Sequence, residues 1–232
     1  MEKKKIAIVN YGLGNLQSVE NAVRYLGVEA VQVARKEEFE EADGYILPGV
    51  GAFGEAMKRL SRSGMIPSIE KEVLGRRKPF LGICLGMQLI AIESCENGRH
   101  KGLGWFPGRV NQLASSDQWR LPHVGWNEVE VRRESPLLRK VKSGSTFYFD
   151  HSYALECDPQ FVSATCEYSQ SVVSVIQKDN MWGTQFHPEK SQKNGLRVLW
   201  NFIGQLGGGA NGAGGLNGEA RRPGFILPQA GP

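Results

Sequence analysis

The apolar positions of this chain fall into two halves of different rhythm. Ile6–Val9 is a short unbroken apolar run, the mark of a strand buried on both faces. A Gly-rich turn over Asn10–Asn15 follows. Leu16, Val19, Ala22, Val23 and Leu26 then recur at helical spacing, with Gly27 placed to close the helix. Val28–Ala34, Gly44–Leu47 and Phe80–Ile83 read as further strands. Phe53–Leu60, Ile66–Leu74 and Leu85–Ile92 read as helices between and after them. Strands alternating with helices imply a parallel sheet covered on its faces. In the second half the runs shorten to Val110–Leu113, Asn127–Val131, Thr146–Phe149, Val172–Gln177 and Trp182–Phe186. Helical spacing returns only at Leu196–Leu206. The expected architecture is α/β, a mixed central sheet flanked by helices with an added antiparallel layer.

Composition changes this picture little. The 232 residues are 41% hydrophobic and 22% charged, enough apolar surface for a substantial core. A net charge of +4 with small basic clusters at Lys3–Lys5 and Arg76–Lys78 reads as solvated surface, not a nucleic-acid stripe. The N-terminal apolar run is too short for a signal peptide, and no run approaches the ~20 residues of a membrane span. The expected compartment is the cytoplasm. Residues 1–206 are expected to be the folded domain. Residues 207–232, with nine Gly and three Pro, read as a disordered tail.

Four cysteines are present, in no C-x-x-C or Cys/His metal spacing, so no metal and no cofactor is expected. Only Cys84 has a reactive setting. Gly82-Ile83-Cys84-Leu85-Gly86 lies between an apolar strand and an apolar helix, which is the cysteine form of a nucleophile elbow. Glycines let the chain close tightly around the thiol, and the start of a helix favours thiolate. Cys95, Cys157 and Cys166 read as buried structural cysteines. His187 follows the last apolar strand, in His187-Pro188-Glu189. In an extended segment, alternate side chains share a face, so Glu189 can orient the imidazole that faces Cys84.

Taken together, Gly12–Asn15, Pro48–Gly54, Gly82–Gln88, Pro122–Asn127, His151–Tyr153 and Phe186–Lys190 resemble the class I (triad-type) glutamine amidotransferases over about residues 5–206. Within that family the segments look like the histidine-biosynthesis branch. Relatives in anthranilate or GMP synthesis read C-L-G-H-Q and H-P-E-S, where this chain has Met87 and Lys190. Asp150 stands where the family would have an apolar residue. The resemblance implies a flavodoxin-like fold, glutamine as substrate, and a heterodimer with a (β/α)₈ cyclase subunit that receives the ammonia. It implies substrate contacts from Gly51, Gln88, Glu96, Ser152 and Tyr153, and partner-facing positions at Asn15, Trp126 and Lys190.

The chemistry needs oxyanion donors. The N–H of Leu85 is one. The turn Pro48–Gly51, with Gly49, Val50 and Gly51, is the expected source of the other, and a flip of this turn is an expected on-switch that Gly49→Pro would block. Two other readings stay open. One is a non-catalytic binding subunit with this fold. The other is a different cysteine hydrolase, such as a γ-glutamyl peptidase. A dinucleotide site is excluded, because Gln17 stands where G-x-G-x-x-G needs its third glycine.

Overall fold

The structure is a computed structural model that describes residues 4–207. The expected tail therefore lies, apart from Gly207, outside the described residues. The first half alternates as its pattern implies: β1 (Lys5–Val9), α1 (Leu16–Tyr25), β2 (Glu29–Val33), β3 (Gly44–Gly49), α2 (Phe53–Arg62), α3 (Ile66–Glu70), β4 (Phe80–Cys84) and α4 (Leu85–Leu89). The second half supplies β5 (Glu93–Ser94), β6 (His100–Lys101), β7 (Gly108–Gln112), β8 (His123–Val131), β9 (Ser145–His151), β10 (Tyr153–Cys157), β11 (Val162–Tyr168), β12 (Gln170–Lys178), β13 (Met181–Thr184) and α5 (Gln192–Ile203).

Nine strands form one sheet in the order β2-β1-β3-β4-β13-β12-β11-β8-β9. The pairs from β2 through β13 are parallel, and those from β13 through β9 are antiparallel. A second sheet, β10-β7-β5-β6, supplies the added layer, although its β5–β7 pair is parallel. Unbroken apolar strands follow from burial on both faces. Ile6 and Ile8 pack with Val19 of α1 and Phe202 of α5, while Ala7 and Val9 pack with Phe53 and Leu60 of α2.

Several elements differ from expectation. α4 stops at Leu89, not Ile92, because the carbonyls of Leu89, Ile90 and Ala91 accept from Leu103, Phe106 and Gly104 rather than from a further helical turn. α3 passes at Lys71 into a π-helical turn closed by Arg76 N–H on Lys71 O. β5, β6, β10 and β11 were not among the expected strands, and β10 has only the short apolar run Tyr153–Leu155 to announce it. β11 is built from small and polar residues, with Ser163, Ala164, Thr165 and Cys166 buried between β12 and β8. β9 runs straight through Asp150, which falls on the solvent side of the pleat. Among the described residues no helix is long and apolar enough to cross a membrane.

Candidate active site

Three adjacent parallel strands, β3, β4 and β13, end at the same edge of the sheet, where ligands meet open α/β folds. Cys84 terminates β4 with φ 52° and ψ −112°, a strained conformation for a residue with a side chain. The glycines beside it are there for space. A Cβ on Gly82 would lie 2.7 Å from the backbone of Gly86 and Met87, and one on Gly86 would lie 1.7 Å from the carbonyl oxygen of Leu47. The elbow can form only because both are absent.

His187 and Glu189 meet, but not along an extended segment as expected. β13 ends at Thr184, and Pro188–Lys190 is a 3-10 turn with Pro188 at its first position. His187 Nδ1 is 2.8 Å from Glu189 Oε1, both side chains almost fully buried. The turn is clamped to β9. The Ser191 hydroxyl donates to His187 O at 2.6 Å and accepts from Tyr148 N at 3.0 Å, while His187 N donates to Tyr148 O at 2.9 Å. Burial alone opposes the imidazolium. Hydrogen bonds to Cys84 and Glu189 outweigh it and raise His187 to about 10. The Glu189 carboxylate fixes the orientation of the imidazole and favours its protonated form.

Cys84 opens onto a cavity of about 240 Å³. Val50, Gly51 and Leu85 line it, as do Gln88, Glu96, Ser152 and Tyr153. Gln88 spends its nitrogen inside the protein, donating to Tyr153 O at 2.8 Å and to Gln185 Oε1 at 3.0 Å. Only its carbonyl oxygen remains for a ligand, so it can accept from an amide or ammonium but not donate. Glu96 has a structural task as well: its carboxylate takes the Phe53 N–H at 2.6 Å and caps α2.

The expected oxyanion turn is shorter than Pro48–Gly51. Pro48 and Gly49 belong to β3, and Gly49 pairs with Cys84. A Cβ on Gly49 would meet the Tyr11 hydroxyl at 2.5 Å and Leu85 Cβ at 2.9 Å, so Gly49→Pro would disrupt the elbow itself rather than test a switch. Gly51, at φ 94° with open space around it, lies beyond β3 and holds a backbone conformation that glycine adopts freely. Leu85 is the first residue of α4, so its N–H has no acceptor within the helix. Tyr11, unremarked in the sequence, donates from its buried hydroxyl to Pro48 O at 3.1 Å and steadies this segment.

Other participants also escaped the sequence reading. Gln185 is fully buried, with Nε2 3.6 Å from Cys84 Sγ. His151 Nδ1 faces Tyr153 O at 2.9 Å and must carry the proton, so its Nε2 accepts from His123 Nδ1 at 3.0 Å; Asn127 Nδ2 then donates to His123 Nε2 at 3.2 Å. Burial pushes His123 down to about 4 and His151 to about 3, so both are neutral at pH 7. Their signal was present in the motifs, but their pairing comes from the β8–β9 register that sets His123 opposite His151.

The three expected partner-facing residues lie outside the cavity. Trp126 is 48% exposed, and its ring meets Tyr148 edge-on at 6.0 Å. Lys190 Nζ sits 5.4 Å from the centre of the Tyr148 ring. Asn15 precedes α1, its side chain making no cap. Cys157 is half-buried and Cys166 buried, and burial pushes both thiols up to about 11. Cys95 is exposed, a correction to the structural reading, because it sits in the loop after the two-residue strand β5. Among the described residues no cluster of His, Cys, Asp or Glu could hold a metal ion.

A thiol on a strand–helix elbow beside a buried imidazole–carboxylate pair defines the triad class of cysteine-dependent α/β enzymes. The chain belongs to the glutamine amidotransferase class-I family, whose model matches residues 7–205. Imidazole glycerol phosphate synthase subunit HisH 1 of Campylobacter jejuni is 43% identical over 198 residues, covering 85% of this chain and 98% of that one. Subunit HisH of Bacillus cereus is 44% identical over 199 residues, covering 86% and 94%. Among solved structures, PurLQS from Thermotoga maritima superposes with a TM-score of 0.69 at 16% identity, over 88% of this chain and 99% of that one, a likeness of fold.

Proposed function

We propose that this chain is the glutaminase subunit of an imidazole glycerol phosphate synthase in histidine biosynthesis. It releases ammonia from glutamine for a (β/α)₈ cyclase subunit bound as a heterodimer. The observation that carries the chemistry is the meeting of Cys84, His187 and Glu189 behind a cavity that Gln88 and Gly51 line. The assignment to this pathway rests on relatives that carry that name over most of both chains.

In this reading the Cys84 thiolate attacks the δ-carbonyl carbon of glutamine. The oxyanion is held by the Leu85 N–H and by an N–H of the 49–51 segment once it turns inward. His187 gives its proton to the departing ammonia, leaving a γ-glutamyl thioester. Water, losing a proton to His187, attacks the thioester; glutamate leaves and the thiolate–imidazolium pair is restored. Glu189 keeps the imidazole in the required tautomer. Gln88 and Glu96 are acceptors suited to the amide and ammonium hydrogens of the substrate. Trp126, Lys190 and Asn15 face the cyclase.

The test is glutamate release by this chain alone and with a cyclase subunit and its ribotide ligand, with Cys84→Ala as control. Strong stimulation by the partner, lost in Cys84→Ala, supports the reading. Equal activity with and without the partner overturns the pathway assignment. Complete inactivity of folded protein in every condition overturns the enzymatic reading in favour of a binding subunit.

A further inference from the structure

We infer that Gln185 is a further catalytic residue: its side-chain amide donates a hydrogen bond to the Cys84 sulfur and holds it in the ionised, attacking form. This rests on the reading of Cys84 as the nucleophile.

The placement comes from the sheet. β4 and β13 are parallel neighbours in a register that pairs Ile83 with Thr184. The residues that follow this pair are Cys84, the last of β4, and Gln185, the first beyond β13. Gln185 N–H is anchored on Ser174 O at 2.9 Å, and its side chain is fully buried with Nε2 3.6 Å from Sγ.

The orientation of the amide follows from its neighbours. The Gln88 nitrogen has two hydrogens and two carbonyl acceptors, Tyr153 O at 2.8 Å and Gln185 Oε1 at 3.0 Å. Flipping Gln88 would set its oxygen against two oxygens. Flipping Gln185 would set nitrogen against nitrogen and aim an oxygen at the sulfur. Only one arrangement satisfies every group, and it turns the Gln185 N–H to Cys84. The Tyr153 carbonyl that anchors Gln88 also accepts from His151 Nδ1 at 2.9 Å.

A fixed donor distinguishes the two states of sulfur. A neutral thiol is a weak acceptor, whereas a thiolate is a strong one. The neutral thiol has its own acceptor in Asp150 O, 3.8 Å from Sγ, which repels the thiolate. Gln185 is the donor that counters this carbonyl. The other titratable or charged groups facing Cys84 are His187 after β13, Tyr11 after β1, Asp150 and His151 at the end of β9, and Glu96 across the cavity.

The experiment measures alkylation of Cys84 by iodoacetamide in the full-length chain from pH 5 to 10. The modified Cys84 peptide is quantified by mass spectrometry, so that labelling of exposed Cys95 does not count. Gln185→Leu removes the donor and is expected to move the alkylation midpoint up by about one pH unit. Gln185→Glu keeps the oxygen that meets Gln88 while replacing donor by acceptor, and is expected to move it at least as far; it carries the test if Gln185→Leu does not fold. Glutamine hydrolysis with the cyclase subunit should fall about tenfold or more in kcat with smaller change in KM. An unmoved midpoint in a folded variant overturns the role of Gln185, even where hydrolysis has slowed. Hydrolysis that survives Cys84→Ala would instead overturn the underlying reading of the site.

Discussion

Glu189 Oε1 and His187 Nδ1 lie 2.8 Å apart at the start of a 3-10 turn, both side chains almost fully buried. The carboxylate charge has one evident task there, to hold the imidazole and stabilise its protonated form. Glu189→Gln keeps the shape and removes the charge. Partner-stimulated glutaminase activity should drop by about 10²–10⁴-fold. Steady-state kinetics would check this, and a drop below tenfold would remove Glu189 from the triad.

Gly86 tests the elbow. A Cβ placed 1.7 Å from Leu47 O has no flexible neighbour to displace, only backbone. Gly86→Ala should cost about 3 kcal/mol or more of stability, or prevent folding. Guanidine unfolding beside the parent chain would measure it.

Gly51 tests the expected on-switch. Its φ of 94° strains any side chain, yet a Cβ there meets nothing within 4 Å. Gly51→Ala should lower stability by only about 1–2 kcal/mol while changing partner stimulation several-fold. Unfolding curves and stimulated glutamate release, taken together, decide it. Unchanged stimulation would leave the oxyanion role of this segment without support.

The buried histidines predict opposite responses to pH. His123 and His151 are lowered to about 4 and 3, so the unfolded chain binds more protons as pH falls below about 6.5, and stability is lost through that window. His187 is raised to about 10, so its contribution is full below about 6.5 and lost as pH rises towards 10. Unfolding midpoints at pH 4.5, 6.5 and 9.5 should therefore peak in the middle. His151→Gln should flatten the acid limb, whereas Cys84→Ala should flatten the alkaline one.

Ser191 clamps the turn to β9. Ser191→Ala leaves the Tyr148 N–H, which it accepts from at 3.0 Å, without that partner. The expected cost is about 1–3 kcal/mol, read by thermal unfolding, with a fall in kcat as His187 loosens.

Much of this was legible in the chain. Short apolar runs identified β1, β3 and β4, because burial on both faces removes alternation. Gly82 and Gly86 announced the elbow, since only glycine permits those backbone approaches. His187-Pro188-Glu189 is local, so the contact between its two side chains could be read from the chain, whereas the 3-10 turn that makes it could not. β10 and β11 were missed because their pairing, not their composition, makes them strands.

The sequence by itself determined the sharp turn at Cys84, the imidazole–carboxylate pair and the layered α/β plan, all set by short-range sterics and apolar periodicity. Tertiary structure alone decided that Gln185 meets a sulfur 101 positions away, that His123 meets His151, and that Trp126 faces solvent. Those contacts depend on strand register, and register is set by the summed packing of the sheet rather than by any local run of residues.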